Sequence, residues 1–215
     1  MLKRLIDFFA RQSQIASGQA PGSDQKPTAP EPARQATPAP ELRREALDKF
    51  MELACRQLQA AERRRLRTLA LASFDRIESG SDDDDTSDLS ESDPFLYAVL
   101  DDDGQRRGQW LLIQGDWKAW DELGWQVNEL LDTRGIAERW TWTPAAPEEM
   151  NVMCGLQALE AWLAPRQLTL LHIDDGGDSY HALILDQENL PEALALARTI
   201  GIDADSHRDF VIRQS

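Results

Sequence analysis

The chain has 215 residues, of which 41% are hydrophobic and 28% charged, and its formal net charge is −15. This length suits one ordinary domain with an appended arm, and the acidic balance excludes a general nucleic-acid binder, which needs a basic face. No apolar run of about 18 residues occurs, so no segment is predicted to cross a membrane. The two cysteines, Cys55 and Cys154, are too few for a zinc site or a disulfide framework and suit a reducing cytoplasm.

Two segments are predicted to precede the folded part of the chain. Residues 1–16 predict a short amphipathic helix, because Leu2, Leu5 and Phe9 fall on one face. This helix is weakly basic, which leaves open a weak membrane contact through residues 1–16 beside the commoner case of a frayed terminal helix. Residues 17–40 hold six of the chain's 11 prolines and predict a disordered, extended linker rich in proline and alanine.

A helical segment and an acidic loop are predicted next. Residues 41–79 lack proline and glycine and repeat apolar side chains at helical spacing, with a predicted break into two helices near 62–65. Residues 80–94 are acidic and rich in serine, so their mutual repulsion predicts a disordered loop. Residues 80–103 carry ten acidic groups and no basic one, which places two thirds of the net charge in one short stretch.

Residues 95–215 predict an α+β core. The periodicity of apolar side chains predicts antiparallel hairpins in one sheet or two related sheets, with helices packed on one face. Strands are predicted over 95–100, 108–114, 138–143, 167–173, 179–185 and 208–213, and helices over 117–132, 147–163 and 189–200. Acidic, glycine-containing sequences at 102–104 and 175–178 are turn signals between paired strands.

An internal pseudo-repeat is visible in this core. Each copy shows a strand, an acidic glycine turn, a second strand, a helix and a third strand, so two strand–strand–helix–strand units are predicted. Gly135 and Gly201 follow the helices of the two units, at positions where the end of a helix needs a left-handed residue. The helix predicted over 147–163 separates the units.

All seven tryptophans lie between Trp110 and Trp162. Trp120 falls on the apolar face of the helix 117–132 and is predicted to be part of the core. Trp117 and Trp125 fall off that face. If exposed, they would anchor a protein interface or stack on a ligand, although burial against neighbouring helices is the commoner outcome.

Polar residues near these tryptophans complete a candidate binding surface. Asp116 is predicted to be the N-cap of the helix that follows it, and His181 is expected on the surface of its strand or in an interface. The candidate binding residues are Asp116, Trp117, Lys118, Trp125, Asp175, Asp178, Tyr180 and His181. The sequence has no phosphate-binding or dinucleotide motif, and three histidines are too few for a metal site, so neither a cofactor nor a metal is predicted.

Cys154 is the one candidate nucleophile. A cysteine on a helix followed by a histidine on a strand, here His172 or His181, is the order used by papain-like hydrolases. Against this interpretation, the flanking residues are apolar, and the predicted helix starts near Pro147, which places the thiol away from the helix N-terminus. A buried structural cysteine is therefore preferred, and no residue is predicted to be catalytic.

The sequences G-D-W-K at 115–118 and D-G-G-D-S-Y-H at 175–181 resemble an uncharacterised bacterial family, the domain of unknown function six-six-three-zero. The resemblance also includes the strand end L-D-D-D-G and the alanine-rich helix before Gly201, and it covers about residues 41–205. It implies a bacterial, cytoplasmic protein. It implies no activity, substrate or catalytic residue.

These features together predict a non-enzymatic, acidic protein-interaction module of a regulatory or immunity-like kind. Its expected partner is a protein with a basic surface, rather than nucleic acid, and its oligomeric state is left open. A cysteine hydrolase that uses Cys154 with His181 or His172 is the alternative from another functional class.

Overall fold

The structure is a computed structural model that describes residues 37–80, 93–100 and 104–214. The predicted helix at 1–16 and the predicted membrane contact through it lie outside the described residues. So do residues 17–36 of the predicted linker and residues 81–92 of the predicted acidic loop.

The described chain is α+β, as the sequence predicts, with seven α-helices and one four-stranded antiparallel sheet. The helices are α1 (Pro40–Ala54), α2 (Ala60–Ser79), α3 (Pro94–Leu100), α4 (Leu123–Thr133), α5 (Val152–Leu163), α6 (Leu190–Ile200) and α7 (His207–Gln214). The strands are β1 (Leu112–Asp116), β2 (Leu168–Ile173), β3 (Ser179–Asp186) and β4 (Ala204–Ser206).

The sheet has the strand order β1-β3-β2-β4. The central strands β2 and β3 form a hairpin through the predicted turn at 175–178, with Ile173 opposite His181 at one end and Leu168 opposite Asp186 at the other. We refer to the end of the sheet next to the turn as the hairpin end and to the end at Asp186 as the far end.

Helices cover both faces of the sheet, although the sequence predicted helices on one face. Leu171 and Leu183 belong to a core that they share with α1, α2, α3 and α6, whereas Leu170 and Ile184 belong to a second core shared with α4 and α5. Because alternate side chains of each central strand enter different cores, β2 and β3 read as continuous apolar runs rather than as alternating ones.

The edge strand β1 obtains hydrogen bonds from side chains on its outer side. The Gln126 side chain accepts from the Gln114 amide and donates to the Gln114 carbonyl, both at 2.8 Å. The Gln105 side chain accepts from the amides of Leu111 and Leu112 and donates to the Leu112 carbonyl. Two glutamines therefore take the place of a further strand.

The strand predicted over 95–100 is wrong, because these residues form helix α3. Asp93 Oδ1 accepts hydrogen bonds from the amides of Phe95 and Leu96, and Pro94 occupies the first helical position. An acidic cap followed by proline is a helix start, and this local signal outweighs the β-propensity of the run that follows. The turn predicted at 102–104 therefore has no strand before it, and its residues 102 and 103 lie outside the described residues.

The strand predicted over 208–213 is also wrong, since these residues lie in α7. Ser206 Oγ accepts a hydrogen bond from the Asp209 amide at 3.2 Å and donates one to Asp209 Oδ2 at 2.7 Å. This reciprocal pair resembles a capping box, and it starts a helix directly after β4. The short strand β4 was not predicted.

The strand predicted over 138–143 is an irregular segment. Asn128 holds it, because its side-chain oxygen accepts from the Trp140 amide at 3.0 Å and its side-chain nitrogen donates to the Trp140 carbonyl at 3.1 Å. The first predicted strand–strand–helix–strand unit therefore keeps only β1 and α4. The second keeps β2, β3 and α6, with β4 in place of the strand predicted over 208–213.

The predicted glycine ends of two helices are confirmed, but the predicted position of the break in the N-terminal helical segment is wrong. Gly135 and Gly201 have φ values of 70° and 99°, the left-handed conformation predicted for both. The helical segment is interrupted between Ala54 and Ala60, whereas the predicted break at 62–65 lies inside α2.

Candidate functional site

An open cavity of about 460 Å³ lies at the hairpin end of the sheet. Its walls come from the segment after β1, the β2–β3 turn, the start of β3 and helix α7. The side chains that give it chemical character belong to Trp117, Asp174, Asp178, Tyr180, His181 and Phe210.

Aromatic rings form two of the cavity walls. The rings of Tyr180 and Phe210 meet edge to face, with their centroids 5.8 Å apart. Trp117 is 50% exposed, and Lys118 places its Nζ 4.5 Å from the centre of the indole. The Trp117 carbonyl accepts a hydrogen bond from the Val152 amide at 3.0 Å, so the backbone that carries the indole is fixed to the start of α5.

The β2–β3 turn supplies the carboxylates. Asp174 Oδ1 accepts from the Gly176 amide at 2.8 Å, and Asp175 Oδ1 accepts from the Gly177 amide at 2.9 Å. These two bonds shape the turn, and Gly176 adopts a φ of 77°, which favours glycine. Asp178 is exposed and has no ion-pair partner among the described residues.

Arg213 attaches α7 to this end of the sheet. Its guanidinium lies 2.8 Å from Asp205 Oδ2, 3.0 Å from Asp203 Oδ2 and 3.3 Å from Asp174 Oδ2. One arginine therefore connects the helix that carries Phe210 to three carboxylates from the sheet and its turns.

His181 is buried in the wall of the cavity, contrary to the expectation of a surface histidine. It is 3% exposed, and its Nδ1 has no hydrogen-bond partner in the described part of the chain, although Asp175 Oδ2 lies 3.8 Å away. Burial lowers the pKa of His181, and the charges of Asp175 and Asp174 oppose this shift. The imidazole is therefore neutral at pH 7.

Asp93 is a buried acid whose pKa is influenced by the charge of Asp175. Burial raises the pKa of Asp93 to about 6, the amides of Leu96 and Phe95 oppose the shift, and the charge of Asp175 adds to it. The carboxyl that caps α3 is thus poorly solvated when ionised.

A pair of buried histidines lies behind Phe210. His172 Nε2 is 2.9 Å from His207 Nδ1, and the His172 ring stacks on Phe210 at a centroid distance of 3.9 Å. Burial, together with the neighbouring His207 and Arg213, lowers the pKa of His172 to about 3. These contacts give His172 a role in packing α7 against the sheet.

Cys154 lies in the first turn of its helix, because α5 begins at Val152 rather than near Pro147. Asn151 is the N-cap: its Oδ1 accepts from the Cys154 amide at 2.9 Å, and its Nδ2 lies 3.4 Å from the thiol. In the described part of the chain, no hydrogen bond joins the thiol to His172 or His181. Burial raises the pKa of the other thiol, Cys55, to about 12.

The structure brings together four of the predicted binding residues, since Trp117, Asp178, Tyr180 and His181 all line the cavity. Asp175 adjoins them through His181.

The other predicted binding residues have different positions. Asp116 ends β1, and its side chain accepts from the Lys118 amide instead of capping a helix. Trp125 is 49% exposed and packs against Trp110 at a centroid distance of 5.1 Å, outside the cavity. The expected burial of Trp117 and Trp125 is not observed.

Sequence reasoning missed Asp174 and Phe210. Phe210 reaches the cavity because it lies on α7, and the Ser-x-x-Asp spacing from Ser206 to Asp209 is the signal that would have placed it on a helix. Among the residues that the structure covers, no group of histidine, cysteine or acidic side chains could hold a metal ion.

Comparison with known proteins gives one match. The family model described as Domain of unknown function (DUF6630) matches residues 44–207. This range includes the whole sheet and the cavity walls that come from the sheet and its turns, but only the first residue of α7. No curated protein and no solved structure matches the chain. Within residues 37–80, 93–100 and 104–214, none of the helices has the length and apolar character needed to cross a membrane.

Proposed function

The chain belongs to the DUF6630 family, and we propose that it is a non-enzymatic, cytoplasmic protein-interaction module, regulatory or immunity-like, that binds a basic protein partner. The observation that carries this proposal is a half-exposed Trp117 on an open cavity that also presents the carboxylates of Asp174 and Asp178. Tryptophans at the centre of a contact surface are frequent anchors of protein interfaces.

The charge of the chain supports a basic partner. The formal net charge is −15, and the hairpin end contributes five aspartates at 174, 175, 178, 203 and 205, of which Arg213 neutralises only part. Such a surface attracts a basic protein over long distances and repels nucleic acid.

The surroundings of Cys154 support binding over hydrolysis. Nucleophilic catalysis needs a base within hydrogen-bond reach of the thiol, whereas the polar side chain next to this thiol is the Asn151 amide. Of the two histidines considered, His172 is paired with His207. We therefore propose no catalytic residue.

The proposal can be tested by affinity purification of the full chain from a lysate of the organism that encodes it. Trp117→Ala should reduce recovery of a specific partner at least about tenfold, because anchors of this type contribute about 2 kcal/mol or more and about 1.4 kcal/mol already corresponds to tenfold. Trp125→Ala is the matched control, since Trp125 is equally exposed but lies outside the cavity. Equal losses with both variants, or none with either, would contradict binding at the hairpin end.

The electrostatic part of the proposal has a separate test. Asp178→Asn should weaken capture of the partner and make it less sensitive to salt, because a screened charge–charge attraction is removed. Asp121→Asn is the control for net charge, since Asp121 is exposed on a turn outside the cavity. If capture of the partner is the same at low and at high salt, charge does not contribute to its recognition.

The hydrolase alternative can be tested with iodoacetamide on the native protein. We expect the half-buried Cys154 to react at a rate that the His181→Gln substitution leaves unchanged, and the buried Cys55 to react only after denaturation. Rapid alkylation of Cys154 at acidic pH, lost in the His181→Gln variant, would favour the cysteine hydrolase instead.

A further inference from the structure

We infer that the cavity at the hairpin end receives an arginine side chain of the basic partner, with the guanidinium against the aromatic walls and Asp178 as its counter-charge. This inference rests on the proposed function and specifies the chemistry that the site recognises. Three observations support it. They are the size and walls of the cavity, the Asp178 carboxylate, which has no ion-pair partner among the described residues, and the neutral imidazole of His181 in the wall.

The cavity has the dimensions of a recognition site. Its volume of about 460 Å³ lies within the range of about 300–1,000 Å³ that is typical of ligand pockets. It is open to solvent, so a long side chain can enter while its backbone stays on the surface. A short side chain that ends in a methyl or hydroxyl group would leave most of this volume empty. A long, extended side chain is therefore the better fit for the cavity.

The aromatic walls favour a planar cation. The indole of Trp117 is half exposed and Tyr180 also lines the cavity, whereas Phe210 is largely covered by its stack on His172. Because Lys118 Nζ lies 4.5 Å from the centre of the Trp117 ring, an incoming cation would bind the other side of the indole or displace the Lys118 side chain. Arginine stacks on such rings more readily than lysine, because its guanidinium is flat and more weakly hydrated than an ammonium group.

The carboxylates complete the match in charge. Asp178 is exposed on the cavity and has no ion-pair partner in the described chain, whereas Asp174 is already engaged by Arg213. Arg213 shows the same recognition inside the molecule, since its guanidinium binds the carboxylates of Asp174, Asp203 and Asp205 at this end of the sheet. An incoming arginine would pair with Asp178 in an equivalent way.

His181 gives the cavity a buried polar wall. Its imidazole is buried, and its Nδ1 lacks a hydrogen-bond partner in the described part of the chain. Buried polar groups without partners are rare, and a polar group of a ligand is one way to supply the missing partner. A neutral imidazole also adds no positive charge that would repel a guanidinium.

The test uses three acetylated and amidated pentapeptides that differ only at the central residue, Gly-Gly-X-Gly-Gly with X as arginine, lysine or citrulline. Binding to the full chain is followed by the indole NMR signals of the tryptophans, with that of Trp117 assigned from the Trp117→Phe variant. We expect the arginine peptide to shift the Trp117 signal and to bind at least about tenfold more tightly than citrulline.

Variants separate the site from the rest of the acidic surface. Asp178→Asn should weaken arginine binding about tenfold, and Asp121→Asn should leave it unchanged. Equal affinities for arginine and citrulline, or no shift of Trp117 with any peptide, would overturn the inference. If partner capture still depends on Trp117 in that case, the proposed function stands without the arginine site. If neither holds, both are overturned.

Discussion

The two ends of the central hairpin differ in how their polar groups are satisfied. At the far end, Asp186 receives Arg134 Nη2 at 2.5 Å, Asn189 Nδ2 at 3.3 Å and Arg56 Nη1 at 3.4 Å. At the hairpin end, Asp178 has no cation among the described residues, and His181 Nδ1 has no hydrogen bond there. The two central strands thus reach a closed ion-pair network at the far end and an open cavity at the hairpin end.

This difference separates stability from recognition. Groups that satisfy one another inside the fold contribute to the free energy of unfolding, and their removal leaves a buried charge. Exposed groups that have no ion-pair partner in the described chain, such as the Asp178 carboxylate, contribute little to stability, and under the proposed function they serve binding. Substitutions at the far end should therefore change the folding equilibrium, and substitutions at the hairpin end should change binding.

Of the two ends of the hairpin, the far end should show the larger effect on stability. Arg134→Met should lower the free energy of unfolding by about 3 kcal/mol, because Arg134 is buried and also donates to the Ile184 carbonyl at 2.9 Å. Urea denaturation followed by circular dichroism measures this loss.

Arg139→Gln is the matched control for Arg134. Arg139 pairs with Asp132 at the surface, with both side chains about half exposed, so this change should cost less than about 1 kcal/mol. Equal costs for the two arginine variants would show that the far end is not a closed network.

Acid should loosen the helix that forms one wall of the cavity. The pKa of His172 is about 3 in the folded protein against 6.5 for a free histidine, so the unfolded chain binds the extra proton as the pH falls below 6.5. Stability should therefore decrease from pH 6.5 toward pH 3, by about 3 kcal/mol at pH 4. Hydrogen exchange should show α7 opening before α4.

His172→Leu tests the origin of that slope. Leucine cannot bind a proton, so the variant should lose less stability between pH 6.5 and pH 4 than the natural chain does. An unchanged slope would assign the acid sensitivity to other groups.

Asp93 should have the opposite pH dependence. Its pKa is about 6 when folded against 3.8 when unfolded, so the folded chain holds the proton more tightly and stability falls as the pH rises from about 4 to 6. Asp93→Asn keeps an oxygen that can cap α3 and removes the charge. Thermal melts should show the variant more stable at pH 8, by about 3 kcal/mol, and equal at pH 3.5.

The smallest effect on stability is expected at the rim of the cavity. Trp117→Ala should change the free energy of unfolding by less than about 1 kcal/mol, because half of the indole is exposed. Trp140→Ala, from the same tryptophan-rich region, should cost about 3–5 kcal/mol, because Trp140 is 3% exposed. Chemical denaturation of both variants measures this contrast. A large loss with Trp117→Ala would place that indole in the structural core.

The sequence was informative where long apolar runs and strong turn signals coincide. Strands β2 and β3, helix α6 and the left-handed Gly201 follow their predictions closely, because burial on both faces and a glycine-rich turn leave few alternatives. Short motifs at the ends of strands also predict Trp117, Tyr180 and His181 as candidate binding residues.

The remaining elements depend on signals that apolar periodicity does not contain. A short apolar run fits a strand or a helix equally well, and the caps at Asp93 and Ser206 decide for the helix in both cases. The segment around Trp140 is fixed by a single distant side chain, Asn128. The cavity itself arises from the packing of α7 on the sheet, which juxtaposes Phe210 with residues far away in the sequence.

The two glutamines along β1 have a consequence for the behaviour of the protein at high concentration. An edge strand with free amides and carbonyls invites a neighbouring molecule to add its own strand, which leads to aggregation. Gln105 and Gln126 occupy these groups on β1 from within the same chain. The two side chains thereby leave fewer free backbone groups on β1 for a strand of a neighbouring molecule to bind.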